Sequence, residues 1–467
     1  NIELLADDYS YPSNSSVPLR LEIINRSNQK VELTEMIIED KTIIPNNKSL
    51  ASNQLVTNAF EIKSDIKSYN AYWLENSYTD MFEVLDVSQI GNPTSKPSIS
   101  GIIKLKIEEN IFEYPVQGIY KWGDPSYGER KREVIYTPSF GITLNQGSIL
   151  AKSGSKKMIQ ITAKNFSSEL TDKIKIIAPE GWNASPEFID LAFSQKHQEK
   201  VFDITITPNK EAKSGKLSFV NNQNKAIQLF HEISYDHIPS QVYFSNAELN
   251  LVKINAEIVP GKIGYIKGVE EQVPQAIEQL GYNITLMEID DLAAYDLSQF
   301  QTIVIGIRAY NVKPELINFK ESLMTFVEKG GTLITQYNTA TSAVKEMDLG
   351  PYPFKISRDR VTEEDAEVTF LNPNHELLNK PNKITKVDFD NWVQERGLYF
   401  AGEWDDQYEP IFSWGDTGQE KVKGGLIVAK HGNGHYIYTG ISFFRELPNG
   451  VEGAYRLFAN LLSYGRN

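Results

Sequence analysis

The sequence predicts a multidomain chain in which two β-sandwiches precede an α/β domain with a parallel sheet. Up to about residue 240, short runs of alternating apolar and polar residues recur between turn residues, without helical segments. Beyond that point, apolar strands alternate with amphipathic helices. With 467 residues the chain is too long for one hydrophobic core, and we expect roughly two to four domains.

The predicted sandwiches rest on a period of two in the apolar residues. The segment at 17–28 places Leu19, Leu21 and Ile23 on one face, as a half-buried strand requires. The same pattern recurs at 99–110, 156–167 and 199–210. We predict a first sandwich at 1–119 and a second at 120–239, and we interpret the segment at 120–144, rich in Gly, Pro and charge, as the connection between them.

The second predicted sandwich contains the motif Pro-x-Gly-Trp in "IKIIAPEGWNASP" (174–186). This turn after a strand resembles the Ig-like domains that are appended to many bacterial glycosidases. The resemblance implies Ig-like sandwiches. We expect Trp182 to fill one end of the sandwich rather than to bind a ligand, because the indole ring buries a large apolar area.

The third predicted domain, 240–467, shows the alternation of a doubly wound sheet. "TIVIGI" (302–307) is apolar throughout, as a central parallel strand should be. The helix predicted at 314–331 has Pro314 near its start and Gly330 after its last turn. Because helices and strands alternate with short loops, we predict a parallel sheet.

Polar side chains follow three of the predicted strands. Ligands of open parallel sheets bind beyond the carboxyl ends of the strands, so these side chains predict a crevice for a polyol or a carboxylate. The candidate ligand-binding residues are Arg308, Tyr310, Asn311, Gln336, Tyr337, Asn338 and Arg445. The alternative is that these groups satisfy one another's hydrogen bonds, as buried polar groups usually do.

A second candidate surface is the aromatic segment at 389–414. Rings interleaved with carboxylates suit a sugar platform, here formed by Trp392, Trp404, Trp414 and Asp405. The same composition suits a packed lid or a seam between domains. We favour packing, because aromatic rings bury so much area.

Composition removes several classes of chemistry. The chain has no cysteine, so disulfides, thiolate metal sites and a cysteine nucleophile are excluded. His431 and His435 form the closest histidine pair, but the glycines between them indicate a hairpin turn. We therefore predict no metal and no cofactor. The net charge of -14 argues against nucleic acid as a partner, and the absence of any run of 18 apolar residues predicts no membrane span.

Residues 261–467 resemble the class I glutamine amidotransferase-like domains, of the flavodoxin-like type that ThuA-like proteins of sugar metabolism share. The family's Gly-x-Cys-x-Gly nucleophile turn corresponds to Gln336, Tyr337 and Asn338 here. In "GISFFRE" (440–446), Phe444 stands at the position of the catalytic histidine. Both reacting groups are missing, so we predict no glutaminase chemistry and assign no catalytic residue.

Longer phrases, such as "GDPSYGE" (123–129), "RGLYFAGEWDDQY" (396–408) and "GISFFRELPNGVEGAYRLFANLL" (440–462), resemble the C-terminal region of long bacterial PIG-L (LmbE-like) deacetylases. Those proteins are zinc-dependent N-deacetylases of sugar amides, and their His-Pro-Asp-Asp motif does not occur here. The resemblance implies a non-catalytic accessory region for glycan binding or domain scaffolding. Its implied partners are a carbohydrate and a deacetylase catalytic domain upstream.

This interpretation treats Asn1 as the cut end of a longer protein and implies a periplasmic or extracellular location in a bacterium, although the absence of cysteine suits the cytoplasm equally well. Two alternatives stay open. The α/β domain is a ThuA-like enzyme that acts on a sugar substrate, or the whole chain is a structural oligomerisation module.

Overall fold

The computed structural model of the chain describes residues 1–39, 41–44, 47–63, 68–76, 81–345 and 347–466. Strand predominates over helix, at 43% against 15%. Sheet pairing therefore determines most of the architecture, and the α-helices of the described residues all lie in the last of three regions.

The first region contains strands β1 to β11, most of which form one curled sheet. They are β1 (Ile2–Ala6), β2 (Ser10–Pro12), β3 (Ser16–Ile24), β4 (Val31–Ile38), β5 (Lys41–Ile44), β6 (Lys48–Leu50), β7 (Leu55–Lys63), β8 (Ser100–Ile107), β9 (Asn110–Asp124), β10 (Gly128–Glu133) and β11 (Ile135–Thr137). The order is β5-β4-β8-β9-β1-β3-β7, with β10 beside β9, β6 beside β4, and β2 pairing with β11 separately. Leu19, Leu21 and Ile23 all enter its core, as their alternation predicts.

Residues 120–133 of the segment expected to connect the two sandwiches (120–144) are instead part of this first sheet, and its last residues form a strand of the second region. β9 continues to Asp124 and turns into β10, with Trp122 opposite Arg130. Asp124 accepts hydrogen bonds from the backbone N–H groups of Ser126 and Tyr127, at 2.8 and 2.9 Å. The Gly, Pro and charged residues thus mark a hairpin turn within a sheet, because such turns need the same residue types as a linker.

The second region contains β12 to β22 in two sheets that face each other. They are β12 (Phe140–Leu144), β13 (Ser148–Ala151), β14 (Lys157–Asn165), β15 (Leu170–Ile177), β16 (Trp182–Ser185), β17 (Phe188–Phe193), β18 (Glu199–Pro208), β19 (Gly215–Val220), β20 (Gln228–Ile233), β21 (Gln241–Asn246) and β22 (Glu248–Lys253). The orders are β16-β18-β14-β12-β20-β21 and β13-β22-β19-β15-β17. Ile161 and Ile174 meet in the shared core, which also buries Trp182. Because β21 and β22 pair into these sheets, the sheets continue past the expected boundary at residue 239.

The third region contains the parallel sheet. Its elements are β23 (Lys262–Ile266), α1 (Val273–Leu280), β24 (Asn283–Met287), β25 (Thr302–Ile305), α2 (Ala309–Val312), α3 (Lys320–Glu328), β26 (Thr332–Gln336), α4 (Ser342–Lys345), β27 (Phe354–Ile356), β28 (Arg360–Val361), β29 (Thr369–Phe370), β30 (Gly397–Leu398), β31 (Ala401–Trp404), β32 (Tyr408–Pro410), β33 (Phe412–Ser413), β34 (Leu426–His431), β35 (Gly434–Thr439), α5 (Phe443–Glu446) and α6 (Glu452–Ser463). The sheet order is β24-β23-β25-β26-β35-β34-β32, and the first five strands are parallel.

Short 3₁₀ helices occupy one connection in the first region and several in the third. They are Val87–Gln89, Ile289–Ala294, Leu297–Gln299, Pro314–Phe319, Glu376–Leu378 and Lys386–Phe389. The helix predicted at 314–331 is therefore divided, with a 3₁₀ turn at Pro314–Phe319 leading into α3.

Helices pack on both faces of the parallel sheet. Val304 points into a core with α1 and α6, whereas its neighbours Ile303 and Ile305 point into the opposite core with α3. This alternation explains why the strand is apolar throughout, since both of its faces are covered. The α1 core also contains Leu150 and Val252, so the second and third regions share buried apolar area.

Candidate functional site

The carboxyl ends of β23, β25, β26 and β35 lie along one edge of the parallel sheet. Residues 391–399, which we call the strap, run across this edge. The Leu398 N–H donates to the Gly440 carbonyl at 2.8 Å, and the Ser442 N–H donates to the Arg396 carbonyl at 3.2 Å. The strap thereby brings side chains from a distant part of the sequence to the strand ends, where ligands of such sheets bind.

Tyr337 lies at the centre of this edge. Its ring stacks on that of Tyr399, with centroids 5.9 Å apart and planes 11° apart, and it meets Phe444 at 5.2 Å. Burial raises the pKa of Tyr337, and the guanidinium groups of Arg308 and Arg445 oppose that rise. We call these five residues the Tyr337 cluster. It combines aromatic faces with two positive charges.

The two arginines of the cluster differ in how they are held. Arg308 is exposed, and its guanidinium has no hydrogen-bond partner among the described residues. Arg445 is 32% exposed, its Nε donates to Glu395 at 2.7 Å, and its Nη1 donates to Gln394 at 2.7 Å. Its guanidinium also lies 4.8 Å above the Phe444 ring. Arg308 is thus free to bind an incoming group, whereas Arg445 has to exchange an existing partner.

Backbone strain concentrates at the same edge. Among the described residues beyond 240, the non-glycine residues with a left-handed backbone are Arg308, Asn391, Gln394 and Tyr399, with φ between 54° and 72°. Such a conformation costs on the order of 1–2 kcal/mol at each position, and it persists where the surroundings enforce it, often at ligand sites. Of these four residues, Arg308 follows a strand end and the other three lie in the strap. Tyr337, at the neighbouring strand end, does not have a left-handed backbone.

Four of the seven predicted ligand-binding side chains are instead held within the protein, and one of them, Gln336, donates to the Tyr265 hydroxyl at 2.9 Å. Tyr310 is buried in the α3-side core. The side chain of Asn338 accepts from the Tyr310 N–H at 3.0 Å and donates to the Gln336 carbonyl at 3.1 Å. Asn311 exchanges two hydrogen bonds with the backbone of Thr339. These amides satisfy the nearest backbone groups, as buried polar side chains generally do.

The tryptophans predicted as a sugar platform do not share a surface. Trp392 and Trp414 are buried in the core on the α1 and α6 side, while Trp404 packs against the opposite core. Asp405 accepts a hydrogen bond from the Gln407 N–H at 3.0 Å within a turn. The packing interpretation therefore describes Trp392 and Trp414, because their rings have no open face for a ligand.

A buried acidic network, which sequence reasoning missed, lies at the end of β23. Glu271 accepts hydrogen bonds from the Tyr265 hydroxyl and, at 3.0 Å, from the Ile307 N–H. Gln336 donates to the same tyrosine hydroxyl at 2.9 Å. Burial raises the pKa of Glu271 to about 7. Gly306 makes this packing feasible, because a Cβ there would lie 2.8 Å from Glu271 Oε1.

Part of this network has unused hydrogen-bonding capacity. Glu271 Oε2 and Gln336 Oε1 are buried without a partner among the described residues. Glu271 also borders a cavity of about 390 Å³ between the second and third regions, with an amide-rich lining that includes Gln272 and Gln275. The sequence signal was the pair Glu270–Glu271 in the loop after a strand that contains a tyrosine.

A second buried acid anchors the strap. Glu446 is fully buried, and it accepts a hydrogen bond from the Val393 N–H at 3.0 Å. Burial raises the pKa of Glu446 to about 8. Arg396 is buried nearby and donates to the carbonyls of Ala366 and Phe389, and burial lowers its pKa to about 10. The strap is thus held in place by hydrogen bonds at Val393 and at Arg396.

The described strand ends hold no serine or threonine hydroxyl paired with a base. In this part of the chain, the Ser442 hydroxyl has no hydrogen-bond partner, and the Thr439 hydroxyl donates to a backbone carbonyl. Within the described residues, no group of three or more His, Cys, Asp and Glu side chains could hold a metal ion. None of the described helices is long and apolar enough to cross a membrane. The groups that the strand ends do present are arginines and aromatic rings, which suit the binding of a ligand.

Comparison with known proteins leaves the family open. No family model and no curated protein matches the chain. Partial likenesses occur to a cold-adapted β-galactosidase from Rahnella sp. R3 (TM-score 0.27, 13% identity, 44% of this chain and 31% of that one) and an exo-β-1,4-mannosidase from Opitutaceae bacterium strain TAV5 (TM-score 0.27, 10% identity, 42% and 35%). A further likeness is to the α2-macroglobulin of Salmonella (TM-score 0.21, 8% identity, 55% and 17%). The chain spans about a third or less of these proteins, and likenesses this weak carry no argument about function.

Proposed function

We propose that this chain is the non-catalytic accessory region of a sugar N-deacetylase of the PIG-L (LmbE-like) type. In this proposal Ig-like sandwiches precede a flavodoxin-like, ThuA-like domain that binds a sugar-derived ligand at the Tyr337 cluster. The sequence phrases at 123–129 and 440–462 support the kind of parent protein. The observation that carries the binding is the free Arg308 guanidinium beside the stacked rings of Tyr337 and Tyr399.

The chemistry of the cluster favours an anionic or neutral sugar. A guanidinium offers planar, bidentate hydrogen bonds to a carboxylate or to two vicinal hydroxyls. Tyr399 and Phe444 are only partly buried, so their rings can contact the apolar face of a sugar ring. A ligand carboxylate meets Arg308 without displacing any protein group, whereas at Arg445 it competes with Glu395. Arg308 should therefore contribute more to affinity.

The scaffolding part of the proposal rests on the contact between the second and third regions. Gln279 of α1 accepts a hydrogen bond from the Leu150 N–H at 2.8 Å, and Leu150 and Val252 enter the α1 core. An accessory region that supports a catalytic domain needs its own parts held together, and buried apolar area provides that.

A second candidate function is catalytic and rests on Glu271. A carboxyl group with a pKa of about 7 and one unpartnered oxygen is suited to general acid–base chemistry at neutral pH. In this alternative the α/β domain is a ThuA-like enzyme that moves a proton to or from a sugar hydroxyl at the end of β23. Glu271→Gln would then abolish turnover while leaving ligand affinity within about threefold.

The binding proposal is tested by calorimetry with D-glucuronate, D-galacturonate and N-acetylglucosamine. Loss of a charge-assisted hydrogen bond costs roughly 1.5–3 kcal/mol, so Arg308→Ala should weaken binding about ten- to a hundredfold, and Arg445→Ala should weaken it less. Arg26→Ala, which removes an exposed arginine of the first region, is the matched control. A ligand that binds equally well to both cluster variants would show that the cluster is the wrong site.

A further inference from the structure

A long groove separates two hairpins at the junction of the first and second regions. One wall is the β9–β10 hairpin, and the other is the turn between β20 and β21. The groove encloses about 810 Å³, which is within the range of pockets that hold small organic ligands. Arg132 of β10 forms an ion pair with Glu232 of β20 at 2.8 Å, which ties the two walls together.

Aromatic side chains with open faces line this groove. Trp122 is 37% exposed, Tyr127 is 60% exposed and Tyr235 is 62% exposed. Trp122 is held in place by stacking on Tyr120, with centroids 5.5 Å apart and planes 17° apart. Folding normally buries most of such large rings. Trp122 and Tyr235 therefore offer apolar ring faces that a flat ligand can cover, whereas Arg130 lies over one face of Tyr127.

The polar groups of the groove are arranged to bond to a neutral ligand. Lys131, which lines the groove, is already paired with Glu3 at 3.2 Å. The carboxylate of Glu133 is half-buried and has neither a hydrogen bond nor an ion pair among the described residues. Arg130 lies with its guanidinium 4.2 Å above the Tyr127 ring, which leaves its N–H groups at the groove. An unpaired carboxylate accepts hydrogen bonds from hydroxyls and repels anions.

We propose that this groove binds a neutral oligosaccharide of β-linked pyranose units. The ring faces of such a sugar stack on Trp122 and Tyr235, while its hydroxyls donate to Glu133 and accept from Arg130. Pyranoses with equatorial hydroxyls have apolar C–H faces on both sides of the ring, which match exposed aromatic rings. The groove is formed by the first two regions, and the proposal does not depend on the Tyr337 cluster of the third.

Calorimetry of the full chain with cellohexaose and with chitohexaose tests the groove. We expect at least one of the two hexasaccharides to bind, and Trp122→Ala and Tyr235→Ala each to weaken that binding about tenfold or more. Tyr114→Ala should bind as the unsubstituted chain does, because Tyr114 is an exposed ring on the same strand β9 outside the groove. Glu133→Gln should also weaken binding, since it replaces the charged acceptor by a neutral amide.

The outcomes separate the groove from the Tyr337 cluster. Binding that Trp122→Ala and Tyr235→Ala leave unchanged would overturn the proposal, as would the absence of binding by both hexasaccharides. If Trp122→Ala fails to fold, Tyr235→Ala decides, because Tyr235 lies in an exposed turn. Arg308→Ala should leave hexasaccharide binding intact. A loss with Arg308→Ala, together with intact binding by the groove variants, would assign the ligand to the cluster and overturn the groove.

Discussion

The buried acid under the strap should make the stability of the third region depend on pH. The pKa of Glu446 is raised to about 8 by burial, from 4.5. Glu446 therefore stays protonated in the folded state at pH values where it is already ionised in the unfolded state. The contribution of this group to stability is complete below about pH 4.5 and is lost progressively as the pH rises toward 8.

The magnitude follows from proton linkage. In this window folding takes up close to one proton at Glu446, and each pH unit costs about 1.4 kcal/mol. Between pH 5.5 and pH 7.5 the difference amounts to about 2–3 kcal/mol. Glu446→Gln keeps an acceptor for the Val393 N–H but removes the titration, so it should remove this part of the pH dependence.

The assay is urea unfolding at a series of pH values, followed by the fluorescence of the buried Trp392 and Trp414. As the pH rises, the unfolding free energy of Glu446→Gln should increase relative to that of the unsubstituted chain by about 1.4 kcal/mol per pH unit. Glu420→Gln, an exposed acid with no described partner, is the matched control and should run parallel to the unsubstituted chain. Equal pH slopes for Glu446→Gln and the unsubstituted chain would refute the reasoning.

Three further predictions concern the chain as a whole. Burial raises the pKa of the Asp8 carboxyl, but hydrogen bonds from His197 and Lys196 outweigh it and lower the pKa from 3.8 to about 2. Asp8→Asn should therefore reduce the unfolding free energy by about 1 kcal/mol at pH 7, and this loss should disappear as the pH falls toward 2. Melting temperatures measured across an acid titration check this. Purified protein should release no ammonia from glutamine, and release above a heat-killed control would contradict this. A fragment of residues 140–467 should unfold cooperatively in a thermal scan, whereas 241–467 should aggregate, because it exposes β21 and β22 without their partner strands.

The amino-acid sequence determines the local elements to a large extent. The alternation of Leu19, Leu21 and Ile23 predicts a half-buried strand, and all three are buried on one side of β3. The apolar run at 302–307 predicts a strand covered on both faces, and β25 contributes to both cores of the parallel sheet. These predictions succeed because periods of two and of 3.6 residues are properties of neighbouring positions, which the chain carries wherever it folds.

Boundaries between regions were less predictable. Turn-forming residues at 120–144 suited a linker and a hairpin equally well, and only the pairing of Trp122 with Arg130 places residues 120–133 in the first sheet. Similarly, the alternation within β21 and β22 indicates strands but not the sheet that they join. Partner choice depends on which edges are free in the folded molecule, and sequence spacing does not contain that information.

The character of the candidate site was decided by tertiary structure alone. Sequence reasoning predicted Arg308, Tyr337 and Arg445, which lie together at the strand ends. It also assigned Tyr310 to the ligand, and that side chain is buried in the α3-side core. It missed Glu271, which becomes unusual only when Tyr265 and Ile307 surround it. A polar residue after a strand is exposed or buried depending on which other segment of the chain packs over it. Here the strap crosses the strand ends from a position some sixty residues away in sequence from Tyr337, a contact that follows from the packing of the whole domain and not from local pattern.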